Sequence, residues 1–147
     1  MSEAHRLFSV EDANELLPVL ELELGRVARL RSDLASAIAS LGGADTALGI
    51  LHQGQEPPAG LEREAATLKE IAGQIAGAVE RITRLGCVIK DLEAGLIDFY
   101  SLRGTEPVFL CWQFGEPAVS HWHALDGGFA GRQEIEGVEV EPPEFPN

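Results

Sequence analysis

At Gly86 the hydrophobic period of this chain changes, and that change constrains its fold more than any other feature. Before it, Leu20, Leu24, Val27, Arg31, Leu34, Ile38 and Leu41 recur at alternating spacings of four and three. Leu61, Ala65, Leu68, Ala72, Ile75, Val79 and Ile82 repeat the pattern. Each series is the seam of a packed amphipathic helix, the first interrupted once, by Arg31. After Gly86 the period is two, the mark of strands whose side chains alternate between faces. Helices followed by strands predict an α+β fold. We expect a single domain over residues 1–147: a long antiparallel helical hairpin at about 10–85, a small antiparallel β-sheet at about 86–140 and an acidic tail, 141–147.

Local signals place the boundaries. Ser9 and Asp12 form a near capping box, with Phe8 and Ala13 as a weak staple, so a helix begins at Val10. Pro18 lacks an amide proton and clashes with a preceding turn. Either a short helix ends near Leu17 and a long one starts at Pro18, or one helix kinks there. Gly42-Gly43 stops it. Residues 42–60 hold five glycines and two prolines and read as a connection with at most one helical turn, its part from Gln53 to Gly60 mobile. A second helix runs from about Leu61 to Leu85, with Gly86 as its left-handed cap. Its Gly73 and Gly77 cost roughly 1 kcal/mol each against alanine, which close helix approach can offset.

Beyond Gly86, Cys87–Ile89 reads as a strand, Leu92–Gly95 as a turn and Leu96–Ser101 as the returning strand. The competing reading continues the second helix through Leu92. Arg103-Gly104 turns the chain, Pro107–Phe114 is the next strand, Gly115-Glu116 turns again, and Pro117–His123 follows. Ile135–Val140 can add an edge strand. With a two-residue turn at Gly115-Glu116, Trp112 faces Val119, Leu110 faces His121 and Val108 faces His123. Phe109–Trp122 and Cys111–Ser120 then line the opposite face. An odd loop length flips the second strand and changes every pair.

The charge balance limits partners. Twenty-four Asp plus Glu against 11 Lys plus Arg give a net charge of −13, which opposes binding to a phosphate backbone. We expect no nucleic-acid partner. No apolar run approaches membrane-spanning length and no signal pattern opens the chain, so we expect no membrane role and a cytoplasmic location. Cys87 and Cys111 then read as buried thiols rather than a disulfide. A single helical hairpin leaves a wide apolar surface, predicting self-association as a coiled-coil-like dimer through the helices, or a tetramer of two such pairs.

The candidates for chemistry lie between Gly86 and Arg132. His121 and His123 sit on one side of a strand, about 6.5 Å apart. With a carboxylate such as Glu116, Asp98 or Asp126 they can hold a divalent metal, and the set His121, His123, Asp126 is one such site. Asp98, between Ile97 and Phe99, and Asp91 across the first hairpin are candidate acids or bases beside His123 and Arg132. Each serves equally as a structural ion pair. Gly128, Gly131 and Arg132 can cradle a small anionic ligand, although the segment is neither a P-loop nor a dinucleotide fingerprint. Cys111, between Leu110 and Trp112, lies on the face opposite the histidines in the two-residue-turn register and reads as a small hydrophobe.

Lys90-Asp91-Leu92, Gly95-Leu96, Asp98-Phe99, Leu110-Cys111-Trp112, Gly115-Glu116, Trp122-His123 and Gly127 to Arg132 together resemble a small bacterial family, domain of unknown function 2203. The resemblance extends to the opening from Phe8-Ser9 to Leu17-Pro18. It carries no activity with it. It does emphasise Asp91, Asp98, Trp112, Trp122, His123, Gly128, Gly131 and Arg132. It also implies that the place of His121 is more often aromatic or small, which favours His123 with Asp98 or Arg132 over the two-histidine site. The leading functional expectation is a self-associating or binding protein. The alternative is a small enzyme or ligand-binding protein with a His/Asp/Arg site, metal-dependent in one version.

Overall fold

The computed structural model describes residues 6–135. Four helices, α1 (Val10–Glu15), α2 (Leu17–Ser40), α3 (Ala44–Gln53) and α4 (Glu62–Arg84), precede five strands. These are β1 (Val88–Asp91), β2 (Leu96–Arg103), β3 (Glu106–Gln113), β4 (His121–Ala124) and β5 (Gln133–Glu134), in one antiparallel sheet of order β1-β2-β3-β4-β5. The architecture is α+β, as the change of period predicts. No single helix among the described residues is long and apolar enough to cross a membrane. The chain divides into two compact units, one being Gly25–Glu80 and the other, in its described part, residues 6–24 with 81–135.

The sheet-bearing unit is organised from its N-terminus. Ser9 and Asp12 form the full capping box: the Asp12 amide donates to Ser9 Oγ (2.9 Å) and the Ser9 amide to Asp12 Oδ2 (3.1 Å). α1 ends at Glu15 and α2 begins at Leu17, so Pro18 falls in a first turn, where no amide proton is needed. The Phe8 amide donates to the Tyr100 carbonyl at 2.8 Å, and Ser101 Oγ donates to the Phe8 carbonyl at 2.6 Å, tying this entry to β2. Phe8, Leu17, Leu20, Leu24 and Ile82 share a core with Ile97, Phe99, Val108, Leu110, Trp112 and Trp122 from the sheet. Arg81 holds the buried Glu23 carboxylate with two parallel bonds, Nε–Oε2 at 2.8 Å and Nη2–Oε1 at 3.1 Å. That fork geometry suits a partly desolvated ion pair. Gly86, at φ 99°, turns the chain out of α4 as only glycine does without strain, and the strand reading of the residues after it is correct.

The β3–β4 register differs from the two-residue-turn pairing. Phe109 pairs with His123, Leu110 with Trp122 and Cys111 with His121. β4 starts at His121, not Pro117, because residues 114–120 spend their polar groups elsewhere. Glu116 turns back on β3: its amide donates to the Gln113 carbonyl (2.9 Å) and its Oε1 accepts from the Gln113 amide (2.8 Å). The Trp112 indole donates to the Glu116 carbonyl at 3.0 Å. Pro117 has no amide to give a ladder, and the Val119 amide donates to Asn14 Oδ1 at 2.8 Å. The longer connection shifts β4 by one residue. Both histidines therefore turn to the face of Phe109 and Cys111, and Trp122 turns to the face of Leu110. β5 pairs with β4, and the Ile135 amide donates to the Ser120 carbonyl at 3.0 Å. The expected edge strand beyond Ile135, the tail at 141–147 and His5 lie outside the described residues.

In the helical unit, Leu30 and Ala37 of α2 and Leu41 just past its end pack with Ala47 and Ile50 of α3 and with Ala65, Leu68 and Ile71 of α4. The seam of α2 is not interrupted by Arg31, which is exposed. It moves one residue back to Leu30 and Ala37. Taking a guanidinium out of water costs several kcal/mol, whereas burying Leu30 and Ala37 instead removes two apolar groups from water. Where a connection with at most one turn was expected, α3 is a ten-residue helix. Ala47, Ile50 and Leu51 lie three and four apart on one face, which reaches the core, and Gly54 caps the helix at φ 65° with its amide on the Gly49 carbonyl. Leu30→Ala is expected to lower unfolding free energy in urea by about 2–4 kcal/mol and Arg31→Ala by less than about 1 kcal/mol. The reverse order would restore the interrupted seam.

Candidate metal centre

The shifted register gathers three polar side chains on the sheet face opposite its helix-packed core. Asp98 pairs directly with Cys111 across β2–β3, and His123 lies diagonally from Cys111 across β3–β4. Asp98, Cys111 and His123 are 1%, 0% and 2% exposed, and one potential ligand atom from each lies within 4.8 Å of the others.

His123 fixes the chemistry. Its Nδ1 is 2.7 Å from the carbonyl oxygen of Ala124, which can only accept, so Nδ1 carries a proton. Its Nε2 is 2.9 Å from Asp98 Oδ2. A lone pair facing a carboxylate oxygen at that distance is repulsive. A proton therefore lies between Nε2 and Oδ2, and the contact is a hydrogen bond. Asp98 Oδ1 is buried and has no hydrogen-bond partner among the described residues. Lys90 Nζ approaches Oδ2 at 3.7 Å.

The Cys111 thiol is pushed up to about 12 from an ordinary 9.0, first by burial and next by the negative charge of Asp98, with Arg132 pulling the other way. This is the reverse of an activated nucleophile. A Cys–His nucleophile also needs an imidazole nitrogen at the thiol, and both nitrogens of His123 are engaged elsewhere. A metal ligand is a different matter, because an ion displaces the thiol proton as it binds. Carboxylate, thiolate and imidazole donors form a zinc-type set, and Nδ1–H on a backbone carbonyl is the usual way of aiming a ligating Nε2. Donors around a tetrahedral zinc stand roughly 3.3–3.7 Å apart, so closing the set about an ion takes shifts of about 1 Å.

The other sequence candidates are engaged outside this set, although His121 pairs with Cys111 across β3–β4. His121 shares its face, as expected, but its Nδ1 accepts from Arg132 Nη2 at 3.0 Å and is 3.1 Å from Ser120 Oγ. Arg132 Nη2 also donates to Glu116 Oε1 at 2.8 Å, and its guanidinium stacks 4.5 Å from the Phe129 ring centroid. Asp91 is exposed, and its Oδ1 accepts from the Ala94 amide at 3.0 Å, closing the β1–β2 turn. Asp126 is exposed. Gly128, at φ 66°, and Gly131 bracket a short 3-10 turn in which the Gly131 amide donates to the Gly128 carbonyl. A groove of about 480 Å³ in the helical unit, lined by Leu30, Asp33, Ala37, Thr67 and Ile71 among others, holds none of these residues. The residue that sequence reasoning set aside is Cys111. A two-residue hairpin turn at Gly104-Thr105 would have put it opposite Asp98.

A family model described as "Uncharacterized conserved protein (DUF2203)" matches residues 6–135. The chain belongs to this family. No curated protein and no solved structure matches the chain. Within this DUF2203 chain, His123 supplies the imidazole of the cluster and Asp98 its carboxylate.

Both thiols titrate high in the folded chain, Cys87 at about 11 and Cys111 at about 12, in each case mainly through burial. Folding thus favours the protonated thiols. Their contribution to stability is whole below pH 9 and is lost as pH rises through 11 to 12. The urea midpoint is expected to fall above pH 9, and Cys111→Ala to make that fall shallower. An unchanged slope in the variant would contradict the buried, carboxylate-flanked thiol.

Proposed function

We propose that this protein binds a thiophilic divalent cation of the zinc class through Asp98, Cys111 and His123. The observation that carries the reading is that one donor atom each from Asp98, Cys111 and His123, all three buried, lies within 4.8 Å of the others. The carboxylate has an unpartnered oxygen, Oδ1, and the thiol lies alongside. Hard cations such as magnesium prefer oxygen ligands and retain water, so the donor set favours a softer ion.

Two features point in different directions on what the ion does. Three protein ligands is the count of catalytic zinc sites, which keep a position for substrate, whereas full burial belongs to structural ones. Burial outweighs the count here, because a substrate must reach the ion and all three ligands are at most 2% exposed. The function this supports is holding the ion, as a structural or metal-responsive centre, rather than turning over a substrate.

Protein purified without a metal-affinity column is expected to carry, or to take up on zinc addition, one ion per chain by native mass spectrometry and elemental analysis. His123→Ala and Cys111→Ser lose it, and His121→Ala keeps it. Cobalt(II) provides a second readout, a thiolate-to-metal charge-transfer band that Cys111→Ser removes. Protein that takes up neither zinc nor cobalt would sink the reading. The same spectra give the mass of the assembly, and so test self-association separately.

A further inference from the structure

The three candidate ligands are sealed from water, but one charged side chain bridges from solvent to the centre. Lys90 is 37% exposed, and its Nζ lies 3.7 Å from Asp98 Oδ2 and 4.3 Å from the centroid of the Phe109 ring. Phe109 pairs with His123 across β3–β4, and the two rings stand 5.5 Å apart, so the face that holds the ammonium also borders the imidazole. Lys90 owes its position to an irregularity in β1. The ladder with β2 slips between Ile89 and Asp91, and Lys90 is the residue inside the slip. Such a bulge re-aims the side chain it carries.

At 3.7 Å the Lys90–Asp98 contact exceeds hydrogen-bond length, so charge attraction and the aromatic face hold the ammonium rather than a directed bond. We infer that Lys90 is the resident counter-ion and gate of the Asp98–Cys111–His123 centre: an arriving divalent cation must displace its ammonium, and enters past Lys90 and the Phe109 ring. This rests on the metal-binding reading above. A divalent ion bound to Asp98 and an ammonium this near the same carboxylate repel each other strongly wherever water is scarce. Lys90 has solvent to move into and a flexible four-carbon stem on which to move. A Lys90 that leaves exposes the carboxylate, and a Lys90 that returns competes with the ion.

The test compares wild type, Lys90→Met and Lys90→Arg, with zinc delivered from a buffered chelator and binding followed by stopped-flow competition with a fluorescent zinc indicator. Lys90→Met, which keeps the stem and removes the charge, is expected to raise both the association rate and the affinity at least about tenfold. Lys90→Arg keeps the charge and stays near wild type. An independent readout in unaltered protein is acetylation of Lys90 by an N-hydroxysuccinimide ester, located by peptide mass spectrometry. It should run several-fold faster in zinc-loaded protein than in metal-free protein, and it needs no variant to fold. Zinc binding that is equal in wild type and Lys90→Met, with Lys90 acetylation indifferent to zinc, would overturn the gate and leave the metal centre standing. No zinc uptake by wild type or Lys90→Met would remove the metal reading, and the gate with it.

Discussion

The hydrogen bond from His123 Nδ1 to the Ala124 carbonyl is short, local and within one strand, yet the chemistry of the centre depends on it. A free imidazole can place its proton on either nitrogen and so avoid conflict with a neighbour. Once Nδ1 is committed, Nε2 has a lone pair to direct at Asp98, and the pair needs a positive particle between its atoms. Asp98 is poorly placed to relieve this. Its carboxylate is buried, its Oδ1 is unpartnered, and Lys90 stands at 3.7 Å from Oδ2 without reaching hydrogen-bond distance. The electrostatics of the site therefore follow from one tautomer, fixed by backbone geometry at the end of β4.

That tautomer matters only because β4 is in the right register, and the register depends on a side chain 105 positions away from the amide it binds. Asn14 accepts from the Val119 amide while donating through Nδ2 to the Val10 carbonyl at 3.1 Å. α1 thereby holds the β3–β4 connection as a loop and keeps it from joining the ladder. Side chains in a strand alternate, so one residue of slip would return His123 to the opposite face and leave Asp98 and Cys111 without an imidazole. The capping box that starts α1 acts on the site through this contact, since it fixes the helix that presents Asn14.

Legibility in the sequence follows the range of the interactions involved. The change of period at Gly86, the Ser9–Asp12 box, the start of α2 at Leu17-Pro18 and the extent of α4 are local or periodic, and each can be read from neighbouring residues. The face shared by His121 and His123 is also local, two residues apart on one strand. Arg31 shows the limit of periodicity: its position fits a seam, but the charge makes a small helix rotation cheaper than its burial. α3 shows another limit, because a glycine-rich composition hides an apolar face of only Ala47, Ile50 and Leu51. The union of Cys111 with His123 could not be read at all. It depends on loop length, which Asn14, Glu116 and the Trp112 indole set through contacts that no spacing rule encodes.

The two faces of the sheet use burial for different ends. On one, Ile97, Phe99, Leu110, Trp112 and Trp122 gain hydrophobic stabilisation from packing with Phe8, Leu20 and Ile82. On the other, Asp98, Cys111 and His123 are as deeply buried, and burial there holds the Cys111 thiol in its protonated form. Replacing a buried polar set with apolar residues of similar volume is often neutral or stabilising, so stability alone gives no reason for a carboxylate at Asp98. Metal coordination supplies one. Desolvation that raises the cost of an unpaired carboxylate or thiolate also strengthens the attraction of both for a divalent ion, and removes the water that would compete for it. The Cys111 thiol, held protonated up to about 12, and the proton shared by His123 and Asp98 then describe the same centre filled by protons, for which the proposed metal ion would exchange.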